Sequence, residues 1–303
     1  MIYVAGHKSP DTDSICAAIA YAELKKKLGQ DAVACRLGDI NSETKFILGK
    51  WGVAIPELLE NASGKQLIIV DHSETKQGPT GIENAEILEI IDHHRIGDLA
   101  PTDPSKFINK KLGATCTIIY NLYLENNQEP DKNVKALILS AILSDTWMFK
   151  SSTTANEDRA IAEKISQDLG LDMEKYAMDM FKSKTDFHEK TAEQIMKNDY
   201  KIYEFSKGKS YINAYELVAG ADELVKRKDE ILQEMEKMKT EYTTVMFVIV
   251  DIMGEKTHMF VLSEFENQIA QEYKIEFKDH YSELKGLVSR KKQIVPVLEK
   301  IMN

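Results

Sequence analysis

The sequence predicts an α/β protein with two domains: a larger N-terminal one built on a mainly parallel sheet flanked by helices, and a smaller C-terminal one with a mixed sheet. Three observations lead there. Apolar runs alternate with helical patterns through the N-terminal part, in the strand, helix, strand order of a right-handed crossover between parallel strands. Three of those runs end directly in an Asp/His cluster. The polar stretch 182–190 then lacks a sustained period, and the pattern beyond it changes style.

Taken in order, Ile2-Tyr3-Val4-Ala5 reads as a short buried strand. It ends in a turn, His7-Lys8-Ser9-Pro10-Asp11-Thr12-Asp13-Ser14, that releases one imidazole and two carboxylates into a small volume. Like charges this close are unfavourable unless a metal or a basic group compensates them. The alternative is an Asp-rich turn that caps the next helix. That helix, 14–28, sets Ile15, Ala18, Ile19 and Ala22 against a polar face with Glu23, Lys25 and Lys26, and Gly29 closes it.

Residues 32–37 give a second strand and 41–50 a second helix. Gln66-Leu67-Ile68-Ile69-Val70 has the apolar character of a strand buried on both faces, and it runs into Asp71-His72-Ser73-Glu74. Glu86-Ile87-Leu88-Glu89-Ile90-Ile91 repeats the arrangement and runs into Asp92-His93-His94-Arg95. In open α/β sheets the ligand crevice lies outside the carboxyl ends of the strands, so the recurrence argues for one shared site.

Residues 113–123 and 133–143 are helical patterns, the second ending in Ser144-Asp145. A carboxylate there faces the negative end of the helix macrodipole, so Asp145 needs another reason for its place, unless it is an exposed aspartate bonded to Thr146 or Ser144. Thr154-Ala155-Asn156-Glu157 looks like a capping box for a helix reaching about Asp168.

Beyond the polar stretch, 201–205 and 209–215 read as paired strands around Lys207-Gly208. Leu224, Ile231, Met235, Met238 and Tyr242 recur as one amphipathic helix, 245–250 and 258–262 as strands, and 264–273 as a helix. The run Ser289-Arg290-Lys291-Lys292-Gln293 lies between Leu287 and Val288 on one side and Ile294 and Val295 on the other. A short strand edge there would turn part of the basic triplet into a cleft; the alternative is a solvated face.

Composition limits the partners. A chain of 303 residues is long enough for two cores, and 29% charged with 43% hydrophobic residues is ordinary for a globular protein. A formal net charge of −10 opposes non-specific nucleic-acid binding and anionic membranes, so neither partner is expected. Cys16, Cys35 and Cys116 form no C-x-x-C pair and fit a reducing compartment. No basic segment precedes a long apolar one, and the apolar runs 136–143 and 245–250 are too short to span a bilayer. A cytoplasmic location is expected.

The strand-end groups are His7, Asp11, Asp13, Asp71, His93 and Asp145, with His94 beside them. Four carboxylates and two imidazoles suit borderline divalent cations such as Mn²⁺ or Co²⁺, and they exceed the needs of one ion. Two ions sharing a carboxylate would hold a bridging water and supply hydroxide at neutral pH. Arg290 and neighbouring lysines would bind an anion opposite. Paired metals facing cations point to phosphoryl-ester or phosphoanhydride hydrolysis.

His7-x-x-Pro10-Asp11-x-Asp13, Asp71-His72, Asp92-His93-His94 and Ser144-Asp145 resemble the successive motifs of the DHH phosphoesterase superfamily. With Ser289-Arg290-Lys291-Lys292-Gln293, the chain resembles the family II, manganese-dependent inorganic pyrophosphatases over essentially its whole length. That resemblance implies a DHH metal-binding catalytic domain at 1–186, a linker at 187–193 and a C-terminal substrate-binding domain at 194–303, with the active site in the cleft between them. It implies two Mn²⁺ per subunit, with Co²⁺ as a substitute. His7, Asp11 and Asp71 would hold one ion, and Asp13, Asp71, His93 and Asp145 the other.

The implied reaction is hydrolysis of pyrophosphate to two phosphates by a metal-bridging hydroxide. Asp71, His94, Lys201, Arg290 and Lys291 would be its catalytic residues, the last four also binding substrate. Additional Mg²⁺ or Mn²⁺ would arrive with the substrate, and the subunit would pair as a homodimer through its N-terminal domain. Lys201 is carried over on Asp199-Tyr200-Lys201. Ser73 stands where the family often has Asn, which affects hydrogen bonding around the site and not the metal ligands.

The alternatives are an exopolyphosphatase or other DHH phosphoesterase, or a metal-binding scaffold without turnover. The glycine-rich Gly-Gly-Gly-His motif of the oligonucleotide enzymes is absent, as is any long insertion for a nucleotide-binding regulatory module, and a dead site would be expected to lose a ligand. His188, His258 and His280 fall outside the motifs and read as surface or structural, while His72 sits beside the site.

Overall fold

The computed structural model describes residues 1–303 except Thr102, Asp186 and Val288. Asp186, the expected end of the first domain, and Val288, in the apolar flank of the basic run, therefore lie outside the described residues. The chain divides into two compact units, Met1–Lys184 and Thr185–Asn303.

In the first unit the strands β1 (Ile2–Ala5), β2 (Ala32–Arg36), β3 (Glu57–Leu58), β4 (Gln66–Val70), β5 (Glu86–Asp92) and β6 (Lys106–Asn109) form a parallel sheet in the order β3-β2-β1-β4-β5-β6. The order reverses between β1 and β4, which opens a crevice at the carboxyl ends of those two strands. The helices are α1 (Thr12–Lys27), α2 (Ser42–Lys50), α3 (Thr115–Glu125), α4 (Lys132–Asp145), α5 (Asn156–Leu169) and α6 (Met173–Ser183). Ala17, Ala18, Ala20 and Ala22 are buried on α1, and such small side chains let neighbouring elements approach closely around Ile15, Tyr21 and Leu24.

Register places the polar strand ends side by side. Ala5 pairs with Ile69, so two residues on His7 and Asp71 leave the sheet level with each other. Val70 pairs with Ile91, so Asp71 is followed across the next ladder by the Asp92-His93-His94 turn.

The second unit holds α7 (Ala192–Met196), β7 (Tyr200–Phe205), β8 (Gly208–Leu217), α8 (Ala221–Val225), α9 (Lys228–Met238), β9 (Thr244–Asp251), β10 (Lys256–Ser263), α10 (Glu266–Tyr273), β11 (Tyr281–Lys285) and α11 (Val295–Met302). Its sheet, β11-β10-β9-β8-β7, is mixed: β8 and β9 are parallel and the other neighbours antiparallel. The two-residue side-chain period of a strand is plain in β9. Val245, Phe247 and Ile249 join the cluster under α9 with Ile231 and Met235, while Met246, Val248 and Val250 join the one under α11 with Leu298 and Met302.

Four expectations change in detail. The segment 187–193 is not a free linker, since Phe187 is fully buried in the second unit's core and Thr191 caps α7 by accepting from the Gln194 amide at 3.2 Å. The single amphipathic helix is two, α8 and α9, broken at Arg227, whose guanidinium donates to the Phe187 and Lys190 carbonyls at 2.7 and 2.9 Å. The capping box of α5 shifts by one residue: the Ala155 amide donates to Asp158 Oδ2 at 2.7 Å, and Glu157 has no part in it. The basic run is not a strand edge. Residues Arg290–Ile294 form one wide, π-type turn that leads into α11, where Pro296 occupies the first turn and needs no amide hydrogen. Among the described residues, no helix is long and apolar enough to cross a membrane.

Candidate metal centre

Backbone amides hold the side chains at the crevice in place. The His7 amide donates to Ser14 Oγ at 3.0 Å, and Asp11 Oδ1 accepts from the Ser14 amide at 3.0 Å, capping α1. This close return of the chain explains Gly6, where a Cβ would lie 1.9 Å from Ser14 Oγ. Asp71 follows β4 in the left-handed region, φ 65°, a conformation that aspartate tolerates better than most residues. Asp13 sits at the N-terminus of α3, accepting from the Thr115 and Cys116 amides at 2.6 and 3.0 Å, where free N–H groups favour an anion.

The acceptors then converge. His7 Nε2 lies 3.6 Å from Asp11 Oδ2 and 3.4 Å from Asp71 Oδ2. His93 Nε2 lies 3.5 Å from both Asp71 Oδ1 and Asp145 Oδ2. His7, Asp11 and Asp71 form one group with ligand atoms within 4.8 Å of one another; Asp13, Asp71, His93 and Asp145 form a second. Asp71 is common to both, and it also joins His93 and His94 in a third.

These residues fit a cation on chemical grounds. His93 Nδ1 is 3.0 Å from the Leu112 carbonyl, which can only accept, so Nδ1 carries a proton and Nε2 is the nitrogen available to a cation. Nε2 faces carboxylate oxygens. Among the described residues His93 Nε2 and Asp71 Oδ2 are buried without a hydrogen-bond partner. Burial, reinforced by the charges of Asp13 and Asp11, pushes the Asp71 and Asp145 carboxyls well above the usual range. Burial also opposes the charge on Asp11, but the His7 hydrogen bond, the Ser14 amide and the His7 charge outweigh it and hold that carboxyl low. Buried acceptors without donors are costly, and a divalent cation among mixed nitrogen and oxygen ligands would satisfy them.

His94 stands apart from this set. Its side chain is 52% exposed, and Nδ1 is 3.0 Å from Asp92 Oδ1, a hydrogen bond that raises the imidazole pKa. Asp92 also accepts from the Ser73 hydroxyl at 3.0 Å, and Ser73 Oγ in turn accepts from the Gly97 amide at 2.9 Å. His72, buried beside Asp71, is pushed down to about 4 chiefly by burial.

In the second unit Lys201, Arg290 and Lys291 line one cavity of about 220 Å³ with Asp199, Tyr203 and Ser289. Arg290 donates from Nη2 to Asp199 Oδ1 at 2.9 Å and from Nη1 to the Asp199 carbonyl at 2.6 Å. The wide turn is fixed by Ser289, whose amide donates to Gln293 Oε1 at 2.9 Å.

Of the supporting residues, Thr115 carries no role in the sequence reading, Ser73 enters there as a departure that affects hydrogen bonding around the site, and Asp92 and Asp199 appear only as parts of motifs. Thr115 Oγ1 donates to Asp71 Oδ1 at 3.0 Å. A threonine behind Gly113-Ala114 at a helix start was the available signal, but nothing local connects it to residue 71.

Comparison with known proteins agrees with this architecture. The model of the "DHH family, N-terminal domain" matches residues 1–142, and that of the "DHHA2 domain" matches 178–301. A manganese-dependent inorganic pyrophosphatase of Methanothrix thermoacetophila is 40% identical, covering 98% of this chain and 97% of the relative. A protein of Clostridium acetobutylicum named as a probable manganese-dependent inorganic pyrophosphatase is 41% identical with the same coverage. A solved Methanococcus jannaschii structure assigned to family II inorganic pyrophosphatases superposes with a TM-score of 0.61 at 37% identity, covering all of both chains. An exopolyphosphatase-related protein of Bacteroides fragilis, at 14% identity and a TM-score of 0.51, shares the fold. With both domains in order and identity near two-fifths from end to end, the chain belongs to the manganese-dependent, family II inorganic pyrophosphatases.

Proposed function

We propose that this chain hydrolyses inorganic pyrophosphate to two phosphates with a pair of divalent ions, Mn²⁺ in the first instance. His7, Asp11 and Asp71 would hold one ion, and Asp13, Asp71, His93 and Asp145 the other. The observation that carries this reading is the sharing of Asp71 between two convergent ligand groups. Bound there, the ions would supply Lewis acidity toward phosphoryl oxygens and a nucleophile at neutral pH.

The chain's own residues would do the rest. Lys201, Arg290 and Lys291 neutralise the phosphate oxygens, Arg290 with a guanidinium already oriented by Asp199. His94, with Nδ1 committed to Asp92, offers Nε2 to the oxygen that bridges the two phosphorus atoms and donates a proton as that P–O bond breaks. Co²⁺ would replace Mn²⁺, since the same donor set suits both. A further Mg²⁺ or Mn²⁺ would accompany the tetra-anionic substrate. Pairing through the N-terminal domain is supported by the open edge at β6, where Phe107 is exposed. A cytoplasmic location is in keeping with three free, buried cysteines.

The test is phosphate release from pyrophosphate by metal-stripped protein reloaded with Mn²⁺, Co²⁺ or Mg²⁺, with tripolyphosphate and a dinucleotide in parallel. Selective pyrophosphate cleavage, best with Mn²⁺ or Co²⁺, is expected. Preference for tripolyphosphate would make the protein an exopolyphosphatase, and preference for the dinucleotide another DHH phosphoesterase.

A further inference from the structure

Glu43 is a carboxylate with no place in the ligand groups and a side chain that the fold buries almost completely, at 1% exposure. It lies in the first turn of α2, a helix capped by Asn41, whose Oδ1 accepts from the Thr44 amide at 2.8 Å. Its Oε1 accepts two hydrogen bonds, from Thr12 Oγ1 at 2.6 Å and from Ser144 Oγ at 2.5 Å. Thr12 stands between Asp11 and Asp13, and Ser144 immediately precedes Asp145. One oxygen atom thus ties together the two segments that bring three of the carboxylates to the centre, although those segments lie 31 and 101 residues from Glu43.

A purely structural role is a poor account of this residue. Its second oxygen, Oε2, is buried with no hydrogen-bond partner among the described residues. Burying a carboxylate with one oxygen unsatisfied is unfavourable, and it stands near an already crowded set of acids. A neutral acceptor would hold two hydroxyls at smaller cost. A carboxylate holds them more firmly, because hydrogen bonds to an ionised acceptor are shorter and stronger. Firm placement matters where ligands repel one another until a cation arrives.

We propose that Glu43 is a positioning residue of the metal centre, which sets the spacing between the Asp11–Asp13 turn and Asp145 through Thr12 and Ser144. The role is indirect: the residue acts on ligands by way of their neighbours, as the outer partners of metal sites do. It rests on the reading of the Asp/His groups as a divalent-metal centre.

Metal-stripped wild type, Glu43→Ala, Glu43→Gln and Ser144→Ala would be checked for native circular dichroism and then titrated with Mn²⁺ against a fluorescent chelator, without pyrophosphate. Glu43→Ala is expected to weaken Mn²⁺ binding by about 10- to 100-fold. Ser144→Ala, which leaves the carboxylate in place and removes one donor, should weaken it less. Glu43→Gln keeps an acceptor oxygen and should recover part of the loss. At saturating Mn²⁺ the KM for pyrophosphate should stay within about twofold of wild type, since no substrate contact is removed.

Wild-type Mn²⁺ affinity in folded Glu43→Ala would overturn the proposal. If that variant does not fold, Ser144→Ala decides: weakened binding supports the role and unchanged binding overturns it. A wild-type chain that binds Mn²⁺ tightly yet leaves pyrophosphate intact would remove the proposed reaction without touching this result.

Discussion

Asp92 carries His94 on the same oxygen that accepts the His94 amide: Oδ1 is 3.0 Å from both the backbone N and Nδ1. The turn itself sets this pair, and Ser73 on Asp92 Oδ2 and Asn109 on the His94 carbonyl, at 3.0 and 2.8 Å, hold it from outside. Because the hydrogen bond to Asp92 raises the His94 pKa, the imidazolium persists to higher pH than a free histidine would allow. Asp92→Asn removes the stabilising charge, so the protonated fraction falls at a given alkaline pH. The basic limb of the kcat profile should move to lower pH, and kcat on that limb should fall, by less than the roughly 10²-fold that loss of a whole general acid costs. A pH-rate profile at saturating Mn²⁺ measures both, and an unshifted limb would remove His94 from the proton-donating role.

Lys291 separates substrate binding from metal binding. It lies in the second unit, on the wide turn with Arg290, while every proposed metal ligand lies in the first. Lys291→Ala should lower turnover by about 10²-fold, as loss of one stabilising cation does, and leave Mn²⁺ affinity near wild type. Equal loss of tight metal in this variant would contradict the division of labour between the units.

The clustering of these Asp and His side chains was legible in the sequence because each follows an apolar strand or closes an apolar helix, and a parallel sheet brings such ends to one edge. The strand register puts His7 level with Asp71, and that needed only strand order and length. What holds those side chains in place was not legible. Thr115 bonds a residue 44 positions away and Glu43 bonds one 101 positions away, and no periodicity within a segment encodes either contact. The same limit applies in the second unit. Residues 187–193 are polar apart from Phe187 and Ala192, so a linker was the natural reading, yet the Phe187 side chain is buried in the core. The basic run likewise read as strand because its flanks are apolar, whereas Pro296 and the Ser289 to Gln293 bonds commit it to a helical turn.

Metal removal should destabilise the first unit. Ions that bind only the folded state add about 4 kcal/mol when present at roughly a thousand times their dissociation constant. For a unit of this size each kcal/mol moves the midpoint by about 2–4 °C, so chelation should lower the first unit's melting temperature by roughly 8–16 °C. Differential scanning calorimetry with and without Mn²⁺ gives the shift. An equal displacement of the second unit's transition, or none in the first, would contradict a centre formed within Met1–Lys184.

Phe187→Ala tests where the second unit begins. The ring is fully buried in a cluster with Ile195, Met196, Tyr211 and Leu224, and the Phe187 carbonyl accepts from Arg227 Nη1 at 2.7 Å. Truncating a phenylalanine in such a core costs about 3–5 kcal/mol, through lost burial and the cavity left behind. The backbone hydrogen bond to Arg227 survives the substitution, so the loss isolates the side chain. Urea unfolding should show the second unit's midpoint falling while Mn²⁺ affinity, carried by the first unit, stays near wild type. A residue of a free linker would give no such loss, because an exposed ring has neither burial nor cavity to forfeit.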